Sequence, residues 1–410
     1  MTGPTPFQSS KVDVQAAKSA GGAPLPGEVR RLVPLLLDWF GRHARDLPWR
    51  RTRDPYAIWV SEIMLQQTQA KTVLPYWERW MRELSSLEAL AKAPPEKVLK
   101  LWEGLGYYTR ARHLQQAAQS LVARRNGQFP EHFAEILSLP GVGRYTAGAV
   151  CSIAFNQPTP VLDGNVIRVL TRVFGIVENP RERQTNAKLW SLAEGLVQTA
   201  AQIQRPRQRN CSHLNQSLME LGALVCTPKQ PQCSSCPVRR HCLARQQDRV
   251  AELPNLGRRP AATDRHFTAF VIETKGRFLV RQRPPDAVNA LLWEFPNLES
   301  AHDRTSPTAG AKKLLGLSLR SLDRFCTVKH TITRYRITLA VYRASVAAKS
   351  PRGSETGRWC TLHELEQLPF TGAHGKIRQQ LAESSNPTVK LQERRPRLRK
   401  HPSSRKITAW

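Results

Sequence analysis

Four of the eight cysteines in this 410-residue chain lie in one short segment, at Cys226, Cys233, Cys236 and Cys242. Thiolates this close together can wrap one compact inorganic group. Zinc sites usually combine two C-x2-C-like pairs, and only Cys233 and Cys236 have that spacing. The C-x6-C-x2-C-x5-C pattern therefore favours an iron–sulfur cubane with one thiolate at each iron. A zinc site is the main alternative, and cysteines that only pack together are the weaker one.

Glu62 is a candidate general acid. On a helix, its neighbours three and four residues away include Ile58, Trp59 and Leu65, so its carboxyl should lie on the buried face. Burial disfavours the charged form of a carboxyl and raises its pKa. A carboxyl that stays protonated near neutral pH can donate a proton to a substrate. The alternative is a buried structural pair between Glu62 and an arginine such as Arg50.

Asp163 is a candidate second carboxylate. It lies in the segment Pro-Val-Leu-Asp-Gly-Asn-Val, directly before a predicted helix. Aspartate at this place often only caps the helix, and that is the alternative interpretation. A fixed anion beside a sugar would instead stabilise the positive charge that develops when a glycosidic bond breaks. From the residues alone, the structural and the functional interpretations of the two carboxyls both stay open.

The segment from Leu139 to Thr146, Leu-Pro-Gly-Val-Gly-Arg-Tyr-Thr, lies between two helical patterns. Gly141 and Gly143 allow the backbone to turn tightly and to expose its N–H groups. A helix that begins just after Gly143 would point its positive end outward, and this arrangement favours binding of an anion such as a phosphate. A plain tight turn is the alternative.

The charge of the chain favours a polyanionic partner. Lys and Arg number 62 against 32 Asp and Glu, which gives a formal net charge of +30 and a pI of about 10.6. Nucleic acid is the first candidate for the partner and an anionic membrane is the second. The sequence contains no apolar run long enough to span a bilayer and no signal-peptide pattern. We therefore expect a soluble intracellular protein, cytoplasmic and bacterial in type.

The elements that must position these residues fall into two regions. The first is predicted to be helical, over Leu32–His43, Ala57–Met81, Pro94–Trp102, Tyr108–Asn126, Ala147–Phe155, Val166–Phe174 and Ser212–Leu224. The second alternates like strands at Phe267–Glu273, Arg277–Gln282 and Arg334–Ala344, with possible helices at Ala309–Leu315 and Leu362–Gln367. A Pro-rich basic segment separates the two regions and is typical of a linker.

These predictions divide the chain into five parts. Residues 1–26 are a disordered tail and residues 27–249 a helical module, with the hairpin at about 138–147 and the cysteine loop at 226–242. Residues 250–264 are the linker, and 265–385 form an α+β domain. Residues 386–410 are a basic disordered tail, which is either simply solvated or helps to hold phosphates.

Four sequence blocks carry a resemblance to a known family. They are S-E-I-M-L-Q-Q-T, G-L-G-Y-Y-T-R-A-R, L-P-G-V-G-R-Y-T-A-G-A and V-L-D-G-N-V-I-R-V. With the cysteines, they resemble in order and spacing the MutY-type adenine DNA glycosylases, members of the helix-hairpin-helix, endonuclease III-like superfamily. The resemblance covers nearly all of residues 29–246. It implies an all-α glycosylase module with a [4Fe-4S] cluster, followed by a Nudix-like domain.

The resemblance implies roles for the catalytic residues. Glu62 matches the residue that protonates adenine N7, and Asp163 matches the one that stabilises the sugar cation. Asn165 matches a supporting residue and Tyr145 a pocket hydroxyl. Endonuclease III-type enzymes carry a Lys in place of Tyr145 and form a Schiff base with it, so we expect base hydrolysis without efficient strand cleavage.

The resemblance also implies DNA contacts and a substrate. It assigns to the adenine pocket Trp49, Arg50, Leu65 and Gln216, and to a wedge in the duplex Gln67, Leu105 and Tyr107. Ordinary core packing is the alternative for Leu65 and Leu105. The hairpin, with Gly141 and Gly143, binds phosphate and can hold a monovalent cation. The expected partner is double-stranded DNA with adenine opposite 8-oxoguanine or guanine. We expect a monomer and no membrane.

The region after the linker resembles the Nudix-like domain of the same family, at Leu-Leu-Trp-Glu-Phe-Pro-Asn297. Nudix hydrolases hold divalent metal with a glutamate-rich helix, but Ala309–Gly316 contains no acidic residue. We therefore expect the domain to read the lesion. The family motif His-x-Phe-Ser-His is here His330-Thr-Ile-Thr-Arg334, in which Thr333 keeps the hydroxyl. A pyrimidine-specific strand-cleaving enzyme, an inactive lesion binder and a nucleotide hydrolase are the rival functions.

Overall fold

The structure is a computed structural model that describes residues 27–204, 208–258, 261–300, 307–315, 319–332, 334–346 and 357–385. The predicted tails 1–26 and 386–410 lie outside these residues, as does Thr333. Two units are distinguished within the chain. Of the described residues, unit 1 comprises those within 27–46, 131–137 and 143–257, and unit 2 comprises those within 47–130, 138–142 and 258–385.

The helices are, in chain order, α1 Gly27–His43, α2 Pro55–Leu65, α3 Ala70–Glu83, α4 Leu87–Lys92, α5 Pro95–Leu101, α6 Thr109–Arg125, α7 Phe133–Leu137, α8 Arg144–Phe155, α9 Gly164–Val173, α10 Arg183–Gln202, α11 Asn210–Leu224, α12 Leu243–Gln246, α13 Pro307–Leu315, α14 Leu362–Gln367 and α15 Gly372–Ser385. No helix in the described ranges is both long and apolar enough to cross a membrane.

Unit 1 is built around α11, which packs against α1, α8, α9 and α10. The helix is surrounded: Leu214, Leu218 and Leu221 form one buried apolar stripe, and Ser212, Gln216 and Glu220 on the opposite face are buried as well. Gly222 allows the closest approach, since a Cβ atom at this position would lie 2.6 Å from Cβ of Asn165. The residue type at 222 therefore sets how near α11 comes to the start of α9.

The helical part of unit 2, α2 to α6, has an aromatic core. Trp59, Trp80 and Trp102 are fully buried, and the Trp80 and Trp102 rings meet edge to face at 5.6 Å. Asp54 caps α2 by accepting from the backbone N–H groups of Tyr56 and Ala57. This cap and Pro55 in the first turn set where α2 begins.

The single helix predicted over Ala57–Met81 is wrong, because the chain forms α2 and α3 with a turn between them. The turn centres on Gln67, whose φ is +57°. Between Leu65 and Val73 the residues are polar or small and include neither Gly nor Pro, so the sequence carries no strong stop signal at the turn. Arg110, distant in sequence, donates to the carbonyls of Ile63, Met64 and Gln66 at the end of α2 and satisfies them there.

Five helices were not predicted from the sequence: α4, α7, α10, α12 and α15. The buried positions of α10 include small or polar residues such as Thr185, Ala193, Gly195 and Ala200, so its apolar stripe is weak in the sequence. The helix α10 is stabilised by packing against α11, and this tertiary contact cannot be predicted from its local sequence.

The C-terminal part of unit 2, residues 263–385, is an α+β fold that we call the sheet domain. Its strands are β1 Thr263–Thr274, β2 Arg277–Gln282, β3 Trp293–Glu294, β4 Asn297–Glu299, β5 Leu319–Ile332, β6 Tyr335–Val346 and β7 Gly357–Thr361. The order is β3-β2-β1-β6-β5, with β4 also paired to β1 and β7 to β2. The β1–β6 pair is parallel and the other pairs are antiparallel.

Both faces of this sheet are covered. Along β1, Ala269 and Val271 point into one apolar core, and Phe270 and Ile272 point into the other. A strand buried on both faces is expected to be a continuous apolar run, as Ala-Phe-Val-Ile is. The predicted helices Ala309–Leu315 and Leu362–Gln367 are confirmed as α13 and α14, and the predicted strands lie within or largely overlap β1, β2 and β6.

Candidate active site

Asp163 is held at the start of α9 by two hydrogen bonds. The backbone N–H of Val166 donates to Oδ1 at 2.7 Å, and the amide of Asn165 donates to Oδ2 at 2.9 Å. Burial raises the pKa of the Asp163 carboxyl, while both hydrogen bonds act in the opposite direction. The capping interpretation is confirmed, and the same two bonds fix the direction of each carboxylate oxygen.

Asn165 is in turn oriented by Arg168, one helical turn further along α9. Arg168 Nη2 donates to Oδ1 of Asn165 at 2.8 Å and to the carbonyl of Gly222 at 2.7 Å. Its Nε donates to the carbonyl of Cys226 at 2.7 Å. A continuous run of hydrogen bonds therefore joins the carboxylate of Asp163 to the backbone of the first cysteine of the segment.

Cys226, Cys233, Cys236 and Cys242 all line one cavity in unit 1. Arg172, fully buried on α9, lines the same cavity and donates to Sγ of Cys226 at 3.4 Å and to the carbonyl of Thr227 at 2.8 Å. Burial raises the pKa of the Cys236 thiol to about 12 and also raises the pKa of Cys242. Arg172 therefore places a positive charge beside the cavity that the four cysteine side chains line.

Tyr145 and Gln216 also belong to unit 1. Tyr145 lies in the first turn of α8, half-buried, and its hydroxyl donates to Sδ of Met219 at 3.2 Å. Gln216 is buried on α11 and donates to Oγ of Ser212 at 3.0 Å. Gly143 is exposed directly before α8. The hydroxyl of Tyr145 thus reaches α11, the helix that carries Gln216.

Unit 2 contains the remaining predicted residues. Glu62 is buried, with a relative exposure of 4%, as its helical neighbours predict. Trp49 is buried and packs edge-on against Trp77 at 5.9 Å, and Arg50 is half-buried beside it in the chain. Gly141 has a φ of +74° in the turn closed by the Val142 N–H bond to Leu139.

The three predicted wedge residues differ in exposure. Gln67 and Tyr107 are exposed, and both have positive φ, +57° and +47°. Leu105 is 6% exposed and belongs to the core, and Leu65 is half-buried at the end of α2. The chain therefore presents Gln67 and Tyr107 at two sharp turns, while Leu105 packs beneath.

A single side chain, Arg110, binds both of these turns. Its Nη1 reaches the carbonyl of Gln66 at 2.7 Å, and its Nη2 reaches the carbonyls of Leu105 and Gly106 at 3.2 and 3.1 Å. Its guanidinium carbon lies 5.6 Å from the centre of the Tyr107 ring. The planar fork of arginine is suited to holding several carbonyls at once.

Comparison with known proteins identifies the family of the chain. Family models match residues 60–194, as a HhH-GPD superfamily base excision DNA repair protein, and residues 268–380, as a NUDIX domain. An adenine DNA glycosylase of Rattus norvegicus is 37% identical, over 90% of this chain and 82% of its own length. The adenine DNA glycosylase of Homo sapiens is 36% identical, over 85% and 74%. The chain belongs to the adenine DNA glycosylase family.

Among solved structures, a thermostable thymine-DNA glycosylase is similar, with 30% sequence identity and a TM-score of 0.48. It covers 54% of this chain, and 98% of that protein is matched.

For an adenine DNA glycosylase, the resemblance implies an iron–sulfur cluster, and the cysteine segment fits one. Within the described ranges, no three His, Cys, Asp or Glu side chains converge closely enough to hold a single metal ion. The ligands of a cubane each bind a different iron, so they surround the group and need not converge on one point. Four cysteines around one cavity, with a cation beside them, provide such a donor set.

Arg110 and Arg168 are two residues of this adenine DNA glycosylase that sequence reasoning missed. Both lie inside blocks that carry the resemblance, G-L-G-Y-Y-T-R-A-R and V-L-D-G-N-V-I-R-V. Arg168 follows Asn165 by three positions on one helix, and that spacing places the two side chains on one face. The spacing was therefore a usable signal for Arg168. For Arg110, no local sequence pattern indicates which carbonyl groups it binds.

Proposed function

We propose that this chain removes adenine from mispairs with 8-oxoguanine or guanine in double-stranded DNA, by hydrolysis, as the first step of base excision repair. The observation that carries the proposal is the Asp163 carboxylate, oriented by Val166 and Asn165. The identity with relatives named adenine DNA glycosylases supports it. The net charge of +30 suits a polyanionic partner.

Adenine must first leave the duplex, because an enzyme cannot reach the glycosidic bond of a stacked base. Extrusion costs a few kcal/mol, which a side chain inserted into the gap partly offsets. We assign this insertion to Gln67 and Tyr107, which are exposed at sharp turns. Leu105 supports the second turn from the core. In this proposal, Trp49, Arg50, Leu65 and Gln216 complete the adenine pocket.

Bond cleavage then divides between the two carboxyls. Glu62, buried on α2, donates its proton to N7 of adenine, so that the electron pair of the C1′–N9 bond leaves with a neutral base. Asp163 stabilises the positive charge that forms on the sugar. Water attacks C1′ and returns a proton to Glu62. Asn165 holds Asp163 in position throughout.

Tyr145 favours hydrolysis without strand cleavage. Its phenol has no amine with which to attack C1′ and form a Schiff base. The hydroxyl donates to Sδ of Met219, and we assign it a hydrogen bond within the adenine pocket. We therefore propose a monofunctional glycosylase, with no efficient lyase step.

We propose that the cysteine segment binds a [4Fe-4S] cluster through Cys226, Cys233, Cys236 and Cys242. When bound, the cluster supplies a structural cross-link. The exposed Arg239 and Arg240 suit a loop that faces phosphates, and the buried Arg172 places a positive charge beside the thiol groups. We also propose that the turn at Gly141 and the start of α8 at Gly143 bind a DNA phosphate through backbone N–H groups, with a monovalent cation held by carbonyls.

The sheet domain is proposed to recognise the base opposite adenine. Its helix α13, Pro-Thr-Ala-Gly-Ala-Lys-Lys-Leu-Leu, offers no acidic side chain to a divalent metal. The tip of the β5–β6 hairpin is instead basic and aromatic, with the Arg334 guanidinium 5.2 Å from the centre of the Tyr335 ring. We assign hydrogen bonding to the lesion to Thr333, which lies outside the described residues.

Single-turnover release of adenine from an A:8-oxoguanine duplex tests the proposed function. The unaltered protein should release the base, and borohydride should trap no covalent complex. Glu62→Gln should slow release by roughly a hundredfold to ten-thousandfold, the range for a lost general acid, with duplex affinity largely kept. Release of an oxidised pyrimidine with strand cleavage, in place of adenine, would refute the assignment.

A further inference from the structure

The sheet domain forms hydrogen bonds with Glu103 and Tyr108, the two residues that flank the Gly104–Tyr107 turn. The backbone N–H of Phe370 donates to Oε1 of Glu103 at 3.1 Å. The hydroxyl of Tyr108 lies 3.4 Å from the carbonyl of Phe370 and accepts from the N–H of Gly104 at 3.2 Å. Both peptide groups of one sheet-domain residue are thus bound by residues on either side of the turn that presents Tyr107.

The carboxylate of Glu103 binds two cationic side chains. Its Oε1 lies 3.2 Å from Nη1 of Arg378 in the sheet domain, and its Oε2 accepts from Nζ of Lys100 at 2.6 Å. The Glu103 side chain is 17% exposed. Lys100 also donates to the carbonyl of Leu368 at 3.1 Å. Removal of the carboxylate would leave two largely buried cations facing one another, which is a costly arrangement.

The two sides of this contact are both firmly anchored. Phe370 is fully buried in the core of the sheet domain, and its neighbours Pro369 and Thr371 pair with the backbone of Trp293 in β3. On the other side, the hydroxyl of Tyr76 donates to the carbonyl of Glu103 at 3.0 Å. Because both sides of the contact are anchored, a movement of the sheet domain should also move the Gly104–Tyr107 turn.

We propose that Glu103 is a positioning residue through which the sheet domain sets the placement of the Gly104–Tyr107 turn in the duplex. The domain that reads the opposite base is thereby coupled to the turn that fills the gap left by the extruded adenine. This inference rests on the proposed excision of adenine opposite 8-oxoguanine. It assigns Glu103 no direct contact with DNA.

A matched contact in the same interface provides the control. Nε1 of Trp293 donates to Oε1 of Glu96 at 3.2 Å, and Glu96 lies in α5, away from the turn. Glu96→Ala therefore removes a contact with the sheet domain and leaves the Glu103 connection in place. A role confined to domain docking would make the two variants behave alike.

The test measures single-turnover adenine release from two duplexes, A:8-oxoguanine and A:G, and takes the ratio of the rates. Glu103→Ala should lower this ratio by about tenfold, the equivalent of one charge-assisted hydrogen bond. Glu103→Gln keeps an acceptor for the Phe370 N–H and should give an intermediate ratio. Glu96→Ala should keep the ratio of the unaltered protein. Backbone hydrogen exchange at Gly104–Tyr107 should accelerate in Glu103→Ala only.

Several outcomes would overturn the inference. One is an equal loss on both duplexes, and another is an unchanged ratio with unchanged exchange in the turn. If Glu103→Ala does not fold, Arg378→Ala removes the cation from the other side and should lower the same ratio. An unaltered protein that releases no adenine would overturn both this inference and the proposed function. Release with an unchanged ratio in Glu103→Ala would overturn this inference alone.

Discussion

The amide of Asn165 donates to Oδ2 of Asp163 at 2.9 Å, while the other carboxylate oxygen is held by the N-terminal turn of α9. A helix cap and a side-chain hydrogen bond together fix both oxygens. The same amide group is fixed at its far end by Arg168. The local sequence Asp-Gly-Asn-Val therefore builds an oriented anion out of a common capping motif.

Excision should fail in acid at a pH set by Asp163. Burial raises the pKa of this carboxyl and the Asn165 hydrogen bond lowers it. The ionised form stabilises the sugar cation, so the rate should fall as the pH drops through this pKa, above the ordinary range for aspartate. Asn165→Ala removes a bond to the charged form, so it should move the acid limb to higher pH. Single-turnover rates over a pH series measure the limb.

Asn165→Asp serves as the comparison for that shift, because a second carboxyl beside Asp163 should move the limb further in the same direction. A limb that stays in place in both variants would show that another group controls the acid side of the profile.

Arg168→Ala should slow adenine release by roughly tenfold to a hundredfold, since small misplacements at a reacting centre have effects of this size. The substitution frees Asn165 and removes bonds to the carbonyls of Gly222 and Cys226. Duplex affinity should change less than the rate. Arg249→Ala, which removes an exposed ion pair with Glu252, is the control, and an equal loss there would argue against a specific role for Arg168.

The sequence predicted the residues that depend on local spacing. The burial of Glu62 followed from Ile58 and Trp59 on one helical face, and the cap at Asp163 followed from its place before a helix. The end of α2 could not be predicted, because Gln67 adopts a positive φ at a turn whose carbonyls are satisfied by Arg110, far along the chain. Contacts over such separations have no local signature.

Charged pairs between distant segments were missed for the same reason. Arg45 binds both carboxylate oxygens of the buried Glu220, at 2.9 and 2.7 Å. In the sequence, Glu220 has no basic residue three or four positions away, so no local spacing indicates its partner. The Glu103 contact with Phe370 and Arg378 likewise joins residues from two different regions of the chain.

Arg110→Lys should destabilise the protein by about 2–4 kcal/mol and impair base extrusion. Burial lowers the pKa of Arg110 to about 10, so the guanidinium stays charged at neutral pH. Lysine keeps the charge but not the fork that binds the carbonyls of Gln66, Leu105 and Gly106. Denaturant unfolding measures the stability, and 2-aminopurine fluorescence in the duplex reports extrusion. If the fluorescence enhancement in this variant equals that of the unaltered protein, Arg110 is not needed for base extrusion by the wedge residues.

Cys236→Ser should abolish the visible absorbance near 400 nm that is expected of a thiolate-ligated iron–sulfur cluster (about 400 nm is typical of such charge transfer). Cys326→Ser changes a half-buried cysteine on β5, outside the cysteine segment, and should keep the absorbance. Iron and sulfide analysis should agree with the spectra. If the unaltered protein is colourless and contains zinc, the cysteines bind zinc and the iron–sulfur assignment is wrong.

Tyr145→Lys should convert a hydrolytic enzyme into one that forms a covalent complex with DNA. The new amine, at the position where the Tyr145 hydroxyl reaches Met219, can attack C1′ as adenine leaves. The sugar ring then opens to a Schiff base that borohydride reduces to a stable amine. Tyr145→Phe removes the hydroxyl and adds no amine, so it should give no trapped complex. Denaturing gel electrophoresis after borohydride treatment measures the outcome. Equal trapping in the unaltered protein would mean that another lysine already reaches C1′, and Tyr145 would then not determine the hydrolytic course.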